Sequence, residues 1–494
     1  MEDNKKILKQ AEEYQKNKQW QKAIKQYEIL MKNSTAVDDY IVVNYAKCLK
    51  LSGNTKQAEE LLKQSRTNNN ESEKILVELF RLYDSMEEWE AAKNVSRELI
   101  YLNSKEAKYH FLLGRAYSVL RDDDRARKSY IRGLESKHSL SMREILKKVQ
   151  SGFINKTGYV ETEYITIDGF NNYGGFIHTS DKNKYFTKIS RASKGAKREE
   201  LFYREICEKF PVLKEVTPKY IDSQMIDGVS YLTMEMIDED IVEKKDIREV
   251  VEITQKIGSI NYEDLINDYP NPDYAFQMRN KPTAIAIFFT KIHKRKYNEN
   301  LFFLLYKLIE QKQYPKIVAD VIKQLETLIM DNNLYYFISP NRHFSLVHRD
   351  FTNRNIKYNK RDDTIKVFDW AGFSLAPHFI TLARYFSSSL TDYKSIQSFY
   401  LNDDNKNGNL SLIEKIFFLY SLILLYILRL KEKKIDKNLN KYILPAVEDL
   451  ERLVEEFMQT DFKNETVQMF EEKNKIERNN EQRIKELELK IELM

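Results

Sequence analysis

Residues 348–356 read His-Arg-Asp-Phe-Thr-Asn-Arg-Asn-Ile, and residues 367–370, after a short polar stretch, read Val-Phe-Asp-Trp. The first run offers a carboxylate at Asp350 and, five residues on, an amide at Asn355; the second adds a carboxylate at Asp369. Apolar alternation on both sides places all three at strand ends or in tight loops. One carboxylate to orient a hydroxyl, with two oxygen ligands to hold Mg²⁺ against a triphosphate, is the set that phosphoryl transfer uses. Asp and Asn also favour ordinary turns; the joint spacing between strand-like segments is what sets this trio apart.

A chain of 494 residues is too long for one ordinary core, so two or three domains are expected. The net charge of +5 is small for this length, and basic and acidic residues are interleaved, so no nucleic-acid partner is expected. The only cysteines, Cys48 and Cys207, lie far apart, which argues against a disulfide framework and for a reducing compartment. The charged start, Met-Glu-Asp-Asn-Lys-Lys-Ile-Leu, has no apolar core for a secretory signal. The longest apolar run, Ile416 to Leu428, is broken only by Ser421 and falls short of the roughly 20 residues of a spanning helix. It reads as a helix buried in a globular lobe, with no transmembrane segment and a cytoplasmic location expected.

The first 135 residues repeat. Ala23, Ala58, Ala92 and Ala126 are separated by 35, 34 and 34 residues. Twelve residues before each stand Ala11, Ala46, Phe80 and Gly114, and nine before each stand Tyr14, Leu49, Tyr83 and Tyr117. Four after each stand Tyr27, Leu62, Ser96 and Tyr130. Small residues let two antiparallel helices approach closely, and large ones fill the gap between turns. This code resembles the tetratricopeptide repeat. Phe80 and Ser96 depart from it, so the third unit is the weakest. Such arrays present a concave face, which implies a docked protein partner; packing against the rest of the chain is the plainer alternative.

Beyond Val149 the pattern changes. Tyr164–Ile167, Phe176–His178, Lys184–Ile189 and Ser230–Met236 read as strands, with a hairpin turn over 179–183 and a helix from about Lys194 to Lys209. From 240 to 335 the pattern is mostly helical, then strands surround the opening motif and helices follow to about 460. Glu471 to Met494 is highly charged, with Ile484, Leu487, Ile491 and Met494 at heptad-like spacing. That stripe is either a solvated terminal helix or a short self-association helix for a homo-oligomer.

The order of these parts, from about 158 to 460, resembles the kinase-like fold, and within it the aminoglycoside phosphotransferase and choline kinase group. That group carries Asp-x-x or Asp-Trp where protein kinases carry Asp-Phe-Gly, and this chain has Phe368-Asp369-Trp370-Ala371 with no recognisable Ala-Pro-Glu beyond. The resemblance implies a multidomain chain: an all-α tetratricopeptide solenoid (1–150), then an α+β bilobal kinase-like domain with an N-lobe (158–238) and a C-lobe holding a helical substrate insert (239–460), then a charged C-terminal helix (461–494). It implies ATP and Mg²⁺ as cofactors. Asp350 would accept or orient the acceptor's hydroxyl proton, and Asn355 and Asp369 would ligate Mg²⁺.

Upstream, the resemblance gives Lys188 the α- and β-phosphates. Glu199 is the candidate helix glutamate to hold Lys188, because Phe202, Tyr203 and Ile206 follow at +3, +4 and +7. The turn Gly169-Phe-Asn-Asn-Tyr-Gly174-Gly175 would cover the phosphates with backbone N–H groups, or would be a simple hairpin. Glu235 and Met236 would form the adenine hinge. Arg354 either holds an anionic group or stands on the surface, and His348 supports the loop. In the family a Pro is commonly followed by Asp-Leu-Ala; here Thr381 replaces that aspartate. It can cap a helix but cannot make the charged contact. The expected function is ATP/Mg-dependent phosphotransfer to a hydroxyl of a small molecule or sugar, a surface-glycan precursor among the options. A pseudokinase scaffold working through its repeats and a protein kinase are the competing readings.

Overall fold

The computed structural model describes residues 2–17, 19–33, 38–68, 71–158, 160–167, 172–180, 183–237, 239–241, 247–270, 289–359, 363–401, 410–430 and 435–460. The stripe at 484–494 and residues 169–171 of the glycine turn lie outside the described residues. The chain divides into two compact units, Met1–Lys197 with Tyr220–Met236, and Arg198–Lys219 with Ile237–Met494.

The first unit opens with four helical hairpins: α1 (Glu2–Lys16) and α2 (Trp20–Asn33), α3 (Asp39–Leu51) and α4 (Thr55–Asn68), α5 (Glu73–Met86) and α6 (Trp89–Leu102), α7 (Ala107–Val119) and α8 (Asp123–His138). A ninth helix, α9 (Met142–Ser151), starts at a capping box in which Ser141 and Glu144 satisfy each other's backbone N–H groups. The small residues of the repeat code, Ala11, Ala23, Ala46, Ala58, Ala92 and Ala126, are all buried. Close approach is what they permit: a Cβ at Gly114 would stand 2.7 Å from the ring of Tyr130, its large partner in the code. The third hairpin forms like the others despite Phe80 and Ser96. Phe80 is buried in the common core, and the Ser96 hydroxyl donates to Ala92 O (2.9 Å), so burying it leaves no open donor.

The same unit carries a five-stranded antiparallel sheet in the order β1 (Glu161–Ile165), β2 (Asn172–Thr179), β3 (Lys184–Arg191), β5 (Val229–Glu235), β4 (Tyr220–Ile226). The last repeat and this sheet share one apolar core. Phe111 of α7 stacks on Tyr173 of β2 with ring centroids 3.8 Å apart and planes nearly parallel. His138, at the end of α8, hydrogen-bonds Asp227 (3.0 Å) and the Tyr231 hydroxyl (2.8 Å). Gln224 donates to Val149 O, and Lys156 to Ile221 O.

Within the sheet runs a buried polar chain. The His178 ring bonds the hydroxyls of Thr162 and Thr187 at 2.7 Å each, and Thr187 bonds Thr233 at 2.8 Å. Burial pushes His178 down from 6.5 to about 4, so it folds neutral. The unfolded chain takes a proton at His178 as pH falls below 6.5 while the folded chain refuses it. Stability is therefore intact above that value and lost on acidification, by on the order of 3 kcal/mol across the window down to about pH 4. Denaturant titrations at pH 7 and pH 4.5 should show a smaller acid loss in His178→Gln than in wild type; equal losses would refute this account.

In the second unit β7 (Phe344–His348) pairs antiparallel with β10 (Phe373–Pro377), and β6 (Glu239–Ile241), β8 (Ile356–Asn359) and β9 (Thr364–Val367) form a three-stranded sheet. Every residue of β7 and β10 is buried, which suits strands enclosed on both faces. Helices enclose them, and helix Leu412–Ile427 runs through the core with Ser421 bonded back to Phe417 O. No helix among the described residues is long and apolar enough to cross a membrane.

Candidate functional site

Strand ends set the key positions in the second unit. β7 ends at His348, and β8 begins at Ile356, immediately after Asn355. β9 ends at Val367, two residues before Asp369. The trio therefore sits in two loops joined by a backbone bond, Phe368 N–H to Asn355 O (3.0 Å). The Asn355 amide donates to Asp350 twice, to its main-chain oxygen (2.9 Å) and to its carboxylate (3.3 Å). Asp369 takes a left-handed backbone, φ 64 and ψ 53, a conformation Asp tolerates better than most residues. Trp370 behind it is fully buried: its indole N–H donates to Val367 O (2.9 Å) and its ring stacks on Phe202 at 4.0 Å.

His348 fastens the loops to each other. Its ring donates from Nε2 to Phe368 O (3.1 Å) and meets Trp370 edge-on, and burial holds the imidazole below its ordinary value, hence neutral. Its backbone N–H donates to the Thr381 hydroxyl (3.3 Å). Thr381 is thus no cap: it is buried inside helix Phe379–Ser389 and supplies a neutral contact to the loop that carries Asp350.

The charged contact comes from a residue the sequence reading missed. Arg384, one turn further along the same helix, donates from Nη2 to the Asp350 carboxylate at 2.8 Å; its side chain is 5% exposed, against 40% for Asp350. The only signal in the sequence was the missing aspartate at position 381.

Glu199 is buried on helix Lys194–Leu201. A π-helical turn follows at Phe202–Ile206, a feature common at functional sites. The Tyr203 hydroxyl has no hydrogen-bond partner among the described residues. Burial first, then the charges of Glu199, Cys207 and Asp369, push that hydroxyl well above its ordinary value. Two carboxylates bearing on one buried hydroxyl make a place where a cation is favourable. Asp369 and the Asn355 amide oxygen are hard donors of the kind Mg²⁺ takes when phosphate and water complete its shell, so these residues fit the ion. No cluster of three His, Cys, Asp or Glu side chains suited to a metal occurs among the described residues.

The other site residues lie in the first unit. Lys188 stands in the middle of β3, opposite Gly175 on one side and Leu232 on the other. Gly174 has φ 110 at a bulge, and a Cβ there would collide with the Tyr164 hydroxyl; one at Gly175 would collide with Phe186. Close packing within the sheet accounts for both glycines. Glu235 ends β5 opposite Tyr185, and the Met236 N–H is engaged by Lys184 O (3.0 Å).

No family model matches the sequence, and no curated relative matches it. Solved structures do match its parts. A tetratricopeptide repeat protein from Parabacteroides merdae aligns at 14% identity and TM-score 0.27 over 30% of this chain, which spans 59% of that protein's length. A spectinomycin phosphotransferase in complex with ADP and spectinomycin aligns at 13% identity and TM-score 0.35, over 63% of this chain and 96% of that one. A choline kinase from Streptococcus pneumoniae aligns at 15% identity and TM-score 0.35, over 64% and 98%. The chain is thus similar to helical-repeat structures at its N-terminus and to kinase-like folds beyond it. At these values the likeness carries nothing about activity, and the chemistry rests on this chain's own residues.

Proposed function

We propose that the protein is an ATP- and Mg²⁺-dependent phosphotransferase acting on a hydroxyl of a small molecule or sugar, with its repeats docking a protein partner. The observation that carries this reading is the Asn355 amide. Its nitrogen is committed to Asp350, which leaves its oxygen as a ligand and ties base and metal loop into one unit. Asp350 orients the acceptor hydroxyl. The acceptor oxygen forms a bond to the γ-phosphorus as the bond to the β–γ bridging oxygen breaks, ADP keeps that oxygen, and the hydroxyl proton passes to Asp350. Asn355 and Asp369 would hold Mg²⁺, which when bound offsets phosphate charge. Lys188 would grip the α- and β-phosphates, the turn at Gly174 and Gly175 would cover them with backbone N–H groups, and Glu235 and Met236 would border the adenine.

One observation favours a non-catalytic scaffold instead: the Asp350 carboxylate is already engaged in an ion pair with Arg384 at 2.8 Å. A loose transition state depends on positioning more than on basicity, which favours the enzyme. Mg-ATP at 100 times its Kd should stabilise wild type by about 2.7 kcal/mol in a thermal melt. Asp369→Asn should lose most of that gain. A melt unmoved by Mg-ATP would refute the nucleotide site, and a stabilised protein that turns over no alcohol would leave the scaffold.

A further inference from the structure

Arg384 has more donors than partners. Nη2 serves Asp350, but Nε and Nη1 are buried with no partner among the described residues. Beside it is a second, half-buried guanidinium, Arg429, which follows helix Leu412–Ile427. Its Nη1 donates to Ser388 O (3.3 Å), and its Nε is also buried without a partner among the described residues. Burial and then the like charge of Arg384 lower Arg429 to about 10; Asp350 opposes this, and Arg354, exposed on the catalytic loop, adds to it. Arg429 thus feels two other guanidinium groups, Arg384 and Arg354, and one carboxylate, Asp350, which is itself paired with Arg384. Like charges in a buried setting are costly unless an anion arrives, and a planar fork with spare N–H groups suits an oxyanion.

We propose that the acceptor carries an oxyanion, a phosphate or a carboxylate, in addition to its reacting hydroxyl, and that Arg384 and Arg429, with Arg354 at the rim, bind it beside Asp350. The inference rests on the phosphotransferase reading for the word acceptor; the anion site itself does not. The bound oxyanion is unchanged in the reaction and serves to fix the hydroxyl at Asp350. A cationic acceptor of the choline type would meet surplus positive charge, so the same cluster excludes it.

The test uses the full chain and has two arms. In the first, inorganic phosphate is titrated into wild type and Arg429→Gln without nucleotide, and binding is read by thermal melting. Loss of one charge-assisted partner should weaken phosphate binding by about 10-fold or more. If Arg429→Gln fails to fold, Arg384→Lys, which keeps the charge and loses the fork, supplies the comparison. Equal phosphate binding in wild type and variant overturns the site. In the second arm, glycerol, glycerol 3-phosphate, glycerate and choline are offered with Mg-ATP. The phosphate or carboxylate acceptor should exceed glycerol in kcat/KM by about 10-fold or more, and the two anions tell the sources apart. Preference for glycerol or choline overturns the inference and leaves the phosphotransferase intact. Arginine-dependent phosphate binding with no alcohol turned over supports the anion site and refutes the enzyme.

Discussion

Asp350→Asn is expected to lower kcat for the acceptor alcohol by about 10³-fold while the Kd for Mg-nucleotide stays within about 2-fold of wild type. The asymmetry follows from the geometry. Asn at 350 still offers an amide oxygen to Arg384 Nη2 and leaves the main-chain oxygen that Asn355 uses, so the loop keeps its shape. What disappears is the charge that orients and receives the hydroxyl proton. Arg384, only 5% exposed, is also left without its counter-ion, so a stability cost of about 3 kcal/mol is expected alongside the loss of turnover. Steady-state turnover, nucleotide binding and a denaturant midpoint measured on one preparation separate these effects. Unchanged turnover in a folded Asp350→Asn would end the catalytic assignment, and a large loss of nucleotide affinity would move Asp350 into the metal site.

The parts legible in the sequence are those that neighbouring residues encode. Asp350, Asn355 and Asp369 stand out because β7, β8 and β9 end beside them, and strand alternation is a local signal. The repeats were legible for the same reason: Gly114 and Tyr130 lie within one hairpin, and their contact imposes the small/large code. Arg384 was not legible, because its partner lies 34 residues upstream and helix Phe379–Ser389 gives no sign of which polar residue turns inward. Nor was the π-helical turn at Phe202–Ile206, which interrupts the 3.6-residue period that singled out Phe202, Tyr203 and Ile206. The bond between repeats and sheet was equally hidden. Phe111 on Tyr173, and His138 on Asp227 and Tyr231, are single long-range pairs with no periodicity. Through them the residues before 150 and those of β1 to β5 become one compact unit.

Trp370→Ala should remove about 3–5 kcal/mol of stability, the largest effect expected from any single change in the second unit. The indole is fully buried, stacks on Phe202 at 4.0 Å and meets His348 edge-on at 4.7 Å, so its loss opens a cavity where the π-helical turn, the loop of Asp350 and the loop of Asp369 come together. Trp370→Phe keeps an aromatic face for Phe202 but leaves Val367 O without its donor, a cost of about 1–3 kcal/mol. The ranking, wild type above Phe above Ala, is readable from urea midpoints. The consequence reaches Asp369, the proposed metal ligand. Asp369 stays in its left-handed conformation because the next residue is anchored; a non-glycine residue held there stores on the order of 1 kcal/mol that free packing would release. Trp370→Ala should therefore also weaken Mg-nucleotide binding at temperatures where the protein remains folded, whereas Trp370→Phe should weaken it less. A variant that loses stability but binds Mg-nucleotide like wild type would mean that Trp370 only fills the core. A variant with a wild-type midpoint would mean that the stack on Phe202 contributes little, and with it would go the reason why Asp-Trp, in place of Asp-Phe-Gly, builds this loop.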